Sequence, residues 1–279
     1  MARLRVLDEA GLASFRESGY LRLPAAFPAE AAEVMAGEVW EELAREHGIE
    51  RADPATWRPP PRSPRGAKAS PRNREVLSER FLGAISDLLG DDDWRRPPTW
   101  GGFLVTFPQQ PGTAFQVPTD GWHWDGDPDG RGLLIFSFYS RVEAGGGGTC
   151  IVSGSHRLVR EFGASLGPEE AGQPHRVHRK RFPQRDPWLA ELWGRAPDLG
   201  ERVERFAGRE TDVRGVPCRV VELTGEPGDV VFCNLGMLHC ANPNRAEVPR
   251  LMRVKFLFLD DSTGGVGPAL GASTDRAGR

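Results

Sequence analysis

The chain has 279 residues, with 36 Lys and Arg against 39 Asp and Glu, for a formal net charge of -3. That near-balance argues against a nucleic-acid partner or a charged membrane surface, and no apolar run approaches the ~20 residues that span a bilayer. Four cysteines, Cys150, Cys218, Cys233 and Cys240, show no CxxC spacing, which argues against a zinc knuckle or a disulfide scaffold and leaves them as small core residues. The first fifteen residues mix Arg3, Arg5, Asp8 and Glu9 with apolar ones, unlike an export signal. A cytoplasmic location is the expectation.

In chain order, residues 8–18 have helical spacing, with Leu12 and Phe15 on one face, and Gly19 stops the helix before a strand over 20–23. A longer helix is predicted for 28–47, carrying Val34, Val39, Trp40 and Leu43. Residues 51–74 are rich in proline and arginine and lack periodicity, which reads as a loop or lid outside the core. A helix over 75–89 closes at Gly90. Strand-like runs follow at 102–107, 133–139, 149–152, 219–223, 229–233 and 251–259, separated by Gly and Pro signals. Residues 160–208 interrupt them with helix-like pieces and the basic run 175–181, expected to be an exposed loop or an anion-binding lip of the substrate site. Nucleic-acid binding is disfavoured there, because the run lacks aromatic interleaving.

Many short strands preceded by helices predict a mainly β chain with flanking helices around a double-stranded β-helix core, a jelly roll of the cupin-like kind. The expected organisation is a single domain over 1–279: a helical region and lid loop (1–93), a jelly-roll core with its insertion (94–260) and a flexible tail (261–279).

The stretch Trp122-His123-Trp124-Asp125-Gly126 carries the chemistry. In an extended strand alternate side chains share a face, so His123 and Asp125 project together and the two tryptophans point the other way. An HxD pair occurs by chance in many chains. Joined by a second imidazole from a distant strand, His239, it makes the two-histidine, one-carboxylate triad that holds Fe(II) and leaves positions open for oxygen and a co-substrate. Alternation along 250–258 puts Arg250 in one row with Met252, Val254, Phe256 and Phe258, and places Arg253 and Lys255 on the wetter side. An inward guanidinium needs an anion. Either a ligand carboxylate or a structural Asp or Glu satisfies that need.

With these residues in view, the chain resembles the phytanoyl-CoA dioxygenase (PhyH-like) family of Fe(II)/2-oxoglutarate-dependent oxygenases. Residues 12–21 are similar to the family's opening helix and strand, His123-Trp124-Asp125 to its HxD motif, and 147–157 to its Gly-containing turn ending in "PGSH", with Ser153 in place of the usual proline. Pro227-Gly228-Asp229, His239, Asn242 and Arg250 follow in the family's order and spacing. The resemblance implies Fe(II) on His123, Asp125 and His239, and 2-oxoglutarate chelating the metal while Arg250 grips its far carboxylate. O2 would be the oxidant and ascorbate the reductant in vitro. Gln116 lies where relatives carry a polar residue reaching toward the co-substrate, and Thr149 offers a hydroxyl there or is simply a β-branched strand residue. Asp125 is retained where halogenating relatives have a small residue, which favours hydroxylation or a related oxidation of an unactivated C–H bond. The substrate is expected to be a small molecule, anionic or polyhydroxylated, with Trp57 and Trp193 as candidates for its mouth. The competing expectations are a catalytically silent jelly-roll binding protein and a metal-dependent oxygenase that does not use 2-oxoglutarate.

Overall fold

A computed structural model describes residues 4–60, 63–90, 94–109, 121–126, 131–194 and 205–259. Helix α1 (Glu9–Ser18) starts where the Asp8 carboxylate accepts from Gly11 N at 2.7 Å, satisfying a donor the helix itself cannot. It ends at Gly19, whose φ of 80° is left-handed and whose missing side chain leaves room for His156. Strand β1 (Tyr20–Leu23) and helix α2 (Ala29–His47) follow, then α3 (Asn73–Val76) and α4 (Glu79–Leu89), the last capped by Ser78 Oγ on Phe81 N.

The strands are β2 (Gly102–Thr106), β3 (Gly132–Phe138), β4 (Cys150–Ser153), β5 (Thr211–Val213), β6 (Val216–Glu222), β7 (Val230–Asn234), β8 (His239–Cys240) and β9 (Arg250–Phe258). Between β4 and β5 lie helices α5 (Ser155–Ala164), α6 (Pro168–Ala171), α7 (His175–Arg181) and α8 (Pro187–Trp193). A five-stranded sheet in the order β1-β7-β3-β9-β2 faces a four-stranded sheet β5-β6-β4-β8, and every pairing is antiparallel. This is the expected mainly β jelly roll with flanking helices. The first strand, β1, comes from the N-terminal helical region and completes the larger sheet through β7.

Three apolar layers follow from the alternation of side chains. On β3, Leu133 and Ile135 face outward onto Met35, Val39 and Leu43 of α2 and Phe81 of α4, while Leu134, Phe136 and Phe138 face inward onto Ile151 of the other sheet. A strand buried on both faces explains why β3 reads as a continuous apolar run. The third layer lies outside the smaller sheet, where Val152, Val220 and Leu238 meet Phe162, Phe182, Leu189 and Leu192 from the α5–α8 segment. Each large apolar side chain fully removed from water contributes about 1.5–3 kcal/mol. The helical layers are therefore part of the stability of both sheets.

Two sequence expectations change here. The helix-like pieces of the insertion are helices that form a second cover with buried Phe182, Leu189 and Leu192, and the basic run 175–181, expected to be an exposed loop or anion-binding lip, is helix α7 with His178 buried. Arg253 is buried, not on a wet face: its guanidinium lies 5.1 Å over the Phe103 ring and donates to Asn73 Oδ1 at 2.6 Å. Alternation assigns a side chain to a face, and the helical layer then buries that face. Within 51–74, Pro64 and Ala67 are also buried, and the buried Glu42 carboxylate accepts from the backbone N–H groups of Arg65 and Gly66. That segment is pinned to the helical layer. The expected tail, 261–279, lies outside the described residues.

Candidate metal centre

His123 and His239, 116 positions apart in sequence, are direct cross-strand partners. Each donates its backbone N–H to the other's carbonyl, at 3.0 and 2.8 Å, and their ring centroids are 4.2 Å apart. The distal histidine is held on its other side by β4, where Ile151 pairs with it. Ser155 Oγ accepts from Leu238 N at 2.9 Å and touches Met237 Sδ, so the Ser153-Gly154-Ser155-His156 turn fixes the chain just before His239. Asp125 follows His123 on the same face, and the potential ligand atoms of His123, Asp125 and His239 all lie within 4.8 Å of one another.

The hydrogen bonds determine which nitrogens are available. His123 Nδ1 donates to Gly121 O at 2.9 Å and His239 Nδ1 donates to Met237 O at 3.0 Å, and because a carbonyl only accepts, the proton of each neutral ring sits on Nδ1. Both Nε2 atoms then carry lone pairs. Asp125 Oδ2 lies 3.2 Å from His239 Nε2, yet it is buried without a hydrogen bond. Donors bound side by side to a divalent cation with bonds of about 2.1 Å stand ~3 Å apart. Two lone-pair-bearing atoms at that separation, one of them an orphaned buried carboxylate oxygen, fit a shared metal ion.

The electrostatics point the same way. Burial, then the neighbouring His239, lowers His123 to about 3, so the imidazole is neutral and ready to ligate at physiological pH. Burial opposes ionisation of the Asp125 carboxyl, and the Arg179 guanidinium 3.8 Å away favours it.

Trp122 and Trp124 do point away from the metal face, but into the core beneath α5–α8, at 2% and 0% exposure. Trp124 packs against Phe162, Phe182 and the His175 ring. Arg179 of α7 donates to Trp124 O at 3.1 Å and lies 3.8 Å from Asp125 Oδ1. The sequence reading overlooked this residue. Its signal was the spacing of His175, His178 and Arg179, which are i, i+3 and i+4 and so share one helix face.

Arg250 is on the inner face of β9 as expected, in the row with Met252 and Val254. It is 6% exposed, donates to Thr106 Oγ1 at 2.6 Å and approaches Met252 Sδ, while its Nε has no partner. The carboxylate that pulls on it is Glu222, whose two oxygens accept from Gly145 N and Gly148 N. Among the described residues, Arg250 forms no salt bridge. Burial lowers it to about 10 against the weaker pull of Glu222 and Cys150. Asn244 secures its surroundings by donating to Thr106 O and Val248 O.

Thr149 is buried, and by alternation it shares the inner face of β4 with Ile151, the residue opposite His239. Gln116 lies outside the described residues. Trp57 and Trp193 take packing positions on Phe107 and Phe182. His156 sits at the start of α5, donating Nε2 to Arg16 O at 3.1 Å. All four cysteines are free and buried, as expected.

No family model matches this sequence, and no curated protein matches it. Among solved structures, the chain is similar to the non-heme α-ketoglutarate-dependent carbocyclase SnoK from nogalamycin biosynthesis, at 19% identity and a TM-score of 0.52, covering 90% of this chain and 84% of that one. It is also similar to AviO1 from Streptomyces viridochromogenes Tue57 (16% identity, TM-score 0.51, covering 96% and 100%) and to the α-ketoglutarate-dependent epimerase SnoN from nogalamycin biosynthesis (16%, 0.50, 94% and 92%). Likeness at this identity establishes the shared fold. No helix among the described residues is long and apolar enough to cross a membrane.

Proposed function

We propose that this chain is a single-domain Fe(II)/2-oxoglutarate-dependent oxygenase of the phytanoyl-CoA dioxygenase kind, hydroxylating an unactivated C–H bond of a small molecule. The observation that carries the reading is the pairing of two features inside one jelly roll. One is a convergent set of two Nε2 lone pairs and a carboxylate; the other is a buried arginine with no carboxylate partner among the described residues. Three neutral or singly negative ligands from one side suit Fe(II) and differ from the closed thiolate sites of structural zinc. When bound, the iron and 2-oxoglutarate supply oxygen-dependent oxidation of the substrate, coupled to decarboxylation of the co-substrate to succinate.

The chain's own residues supply position and electrostatics. His123, Asp125 and His239 would hold the metal, and the Nδ1 protons of the two histidines are committed to backbone carbonyls so that neither ring can rotate away. Arg250 presents a desolvated fork to the distal carboxylate of 2-oxoglutarate, a contact that gains strength from the same burial that disfavours the bare charge. Thr149 adds a hydroxyl from the facing sheet, and Gln116, seven positions before His123 in sequence, would add a polar group. The inner aromatic residues, Phe136 within 6.5 Å of His239 among them, keep the reacting centre dry.

The 2-oxoglutarate-independent alternative is less well supported, because it has no use for the inward guanidinium of Arg250, and succinate formation separates the enzyme from a silent binder. The test is an aerobic incubation of the purified protein with Fe(II), ascorbate and 2-oxoglutarate over a panel of anionic and polyhydroxylated small molecules. Metal-dependent succinate is expected. No succinate above a metal-free control on any of them would refute the proposal.

A further inference from the structure

A second cluster of buried polar groups lies on the opposite face of the larger sheet, away from the metal centre. Register places Ser137 of β3 directly across from Arg253 of β9, and Ile135 across from Lys255. Tyr139, just beyond β3, continues the same outward row. Ser137, Tyr139, Arg253 and Lys255 line one cavity between the sheet and the helical layer, closed over by Val76, Phe81 and Trp100. The cavity has room for a single water-sized occupant.

Among the described residues, every polar side chain in this lining can donate and none is a carboxylate. The buried Tyr139 hydroxyl lies beside the Arg253 guanidinium, whose Nη1 donates to Asn73 Oδ1 at 2.6 Å while its Nε is buried with no hydrogen-bond partner. Two acids of α2 are hydrogen-bonded elsewhere: Glu38 accepts from Ser70 Oγ at 2.9 Å, and Glu42 accepts from the backbone of Arg65 and Gly66. Burial and then Arg253 lower Lys255, and burial, Arg65 and Arg253 lower Lys68 against the pull of Glu42. Buried cations without an anion are strongly disfavoured, and native proteins pair them or neutralise them.

We infer that this cavity is a binding site for one small monoanion, chloride in its simplest form, held by Arg253, Lys255, Ser137 and Tyr139 between the larger sheet and helices α3 and α4. A spherical ion suits the single-occupant space, and the aromatic and aliphatic cover favours an anion that gives up its water readily. Polyatomic dianions such as phosphate are too large and too strongly hydrated for the same space. The bound ion would tie the helical layer to the back of the sheet.

The test is thermal unfolding of the full chain, freed of metal by chelation so that halide meets no iron, in sodium chloride, sodium bromide or sodium gluconate at equal ionic strength. A saturable rise in Tm of about 2–4 °C is expected with either halide over gluconate, at concentrations some ten times the dissociation constant. Broadening of the 35Cl resonance by the protein should be reversed by bromide. Two mild variants keep the result interpretable: Tyr139→Phe removes only the hydroxyl, and Lys255→Met alters a half-buried side chain. Both are expected to keep their Tm in gluconate and to lose most of the halide-dependent rise. Coincident curves in chloride and gluconate would overturn the inference, as would a halide effect undiminished in both variants.

Discussion

Replacing Arg250 with methionine separates a ligand-binding arginine from a structural one. Burial lowers this guanidinium from its ordinary range to about 10, and at about 1.4 kcal/mol for each tenfold change the isolated charge costs the fold on the order of 3 kcal/mol. Against this, Arg250→Met forfeits the hydrogen bond to Thr106 Oγ1, worth about 1.5–3 kcal/mol for a charged donor. The ligand-free protein is therefore expected to be as stable as the parent or more so, with a Tm unchanged or raised by several degrees. Its affinity for 2-oxoglutarate should fall by about 2–5 kcal/mol, roughly thirty-fold to several thousand-fold, because the distal carboxylate is left buried and unpaired. Calorimetric titration of 2-oxoglutarate into the metal-loaded protein gives the second quantity and thermal unfolding of the apo protein the first. A structural arginine would show the reverse: a loss of about 3–5 kcal/mol of stability with co-substrate affinity unchanged. That pattern would refute the assignment.

Asp125→Ala is expected to abolish metal-dependent succinate formation and to weaken Fe(II) binding beyond detection at micromolar protein, as measured by metal retention after desalting; full retention would remove Asp125 from the ligand set. Arg179→Met cuts the link from α7 to Trp124 O and the Asp125 carboxylate, and should weaken metal binding about 10-fold or more, the usual scale for groups that orient ligands, with little change in Tm. For His156, burial depresses the imidazole from 6.5 to about 4, so between those values the unfolded chain holds a proton that the folded chain does not. Stability should fall as pH drops from 6.5 to 4, by about 1.4 kcal/mol per pH unit from this one site, and His156→Gln should flatten that part of the denaturation profile. A variant with the parent's slope would show that other groups set it.

The metal strand and its partners were legible because their periodicities are local. Alternation alone put His123 and Asp125 on one face and Arg250 in the inward row, and both assignments hold in the structure. The same rule misplaced Arg253, since a period of two distinguishes faces and is silent on whether a helix from elsewhere in the chain covers one of them. The two-residue strand β8 is too short to leave a pattern, yet it is the element that brings His239 to His123. The insertion was hidden by its own charge. In α7 the run of basic residues masks a face on which His178 is buried and Arg179 reaches the metal centre, and only helical spacing betrays that face. Short helices carry few apolar residues each, so the hydrophobic layer formed by Phe162, Phe182, Leu189 and Leu192 emerges only when the pieces are assembled.

The central claim is that one pocket holds metal and 2-oxoglutarate together, and anaerobic calorimetry of 2-oxoglutarate binding with and without Fe(II) addresses it most directly. Binding that requires the metal, and that is lost in both His239→Ala and Arg250→Met, is the expected result. Equal affinity in the presence and absence of metal, or no binding in either condition, would contradict the account.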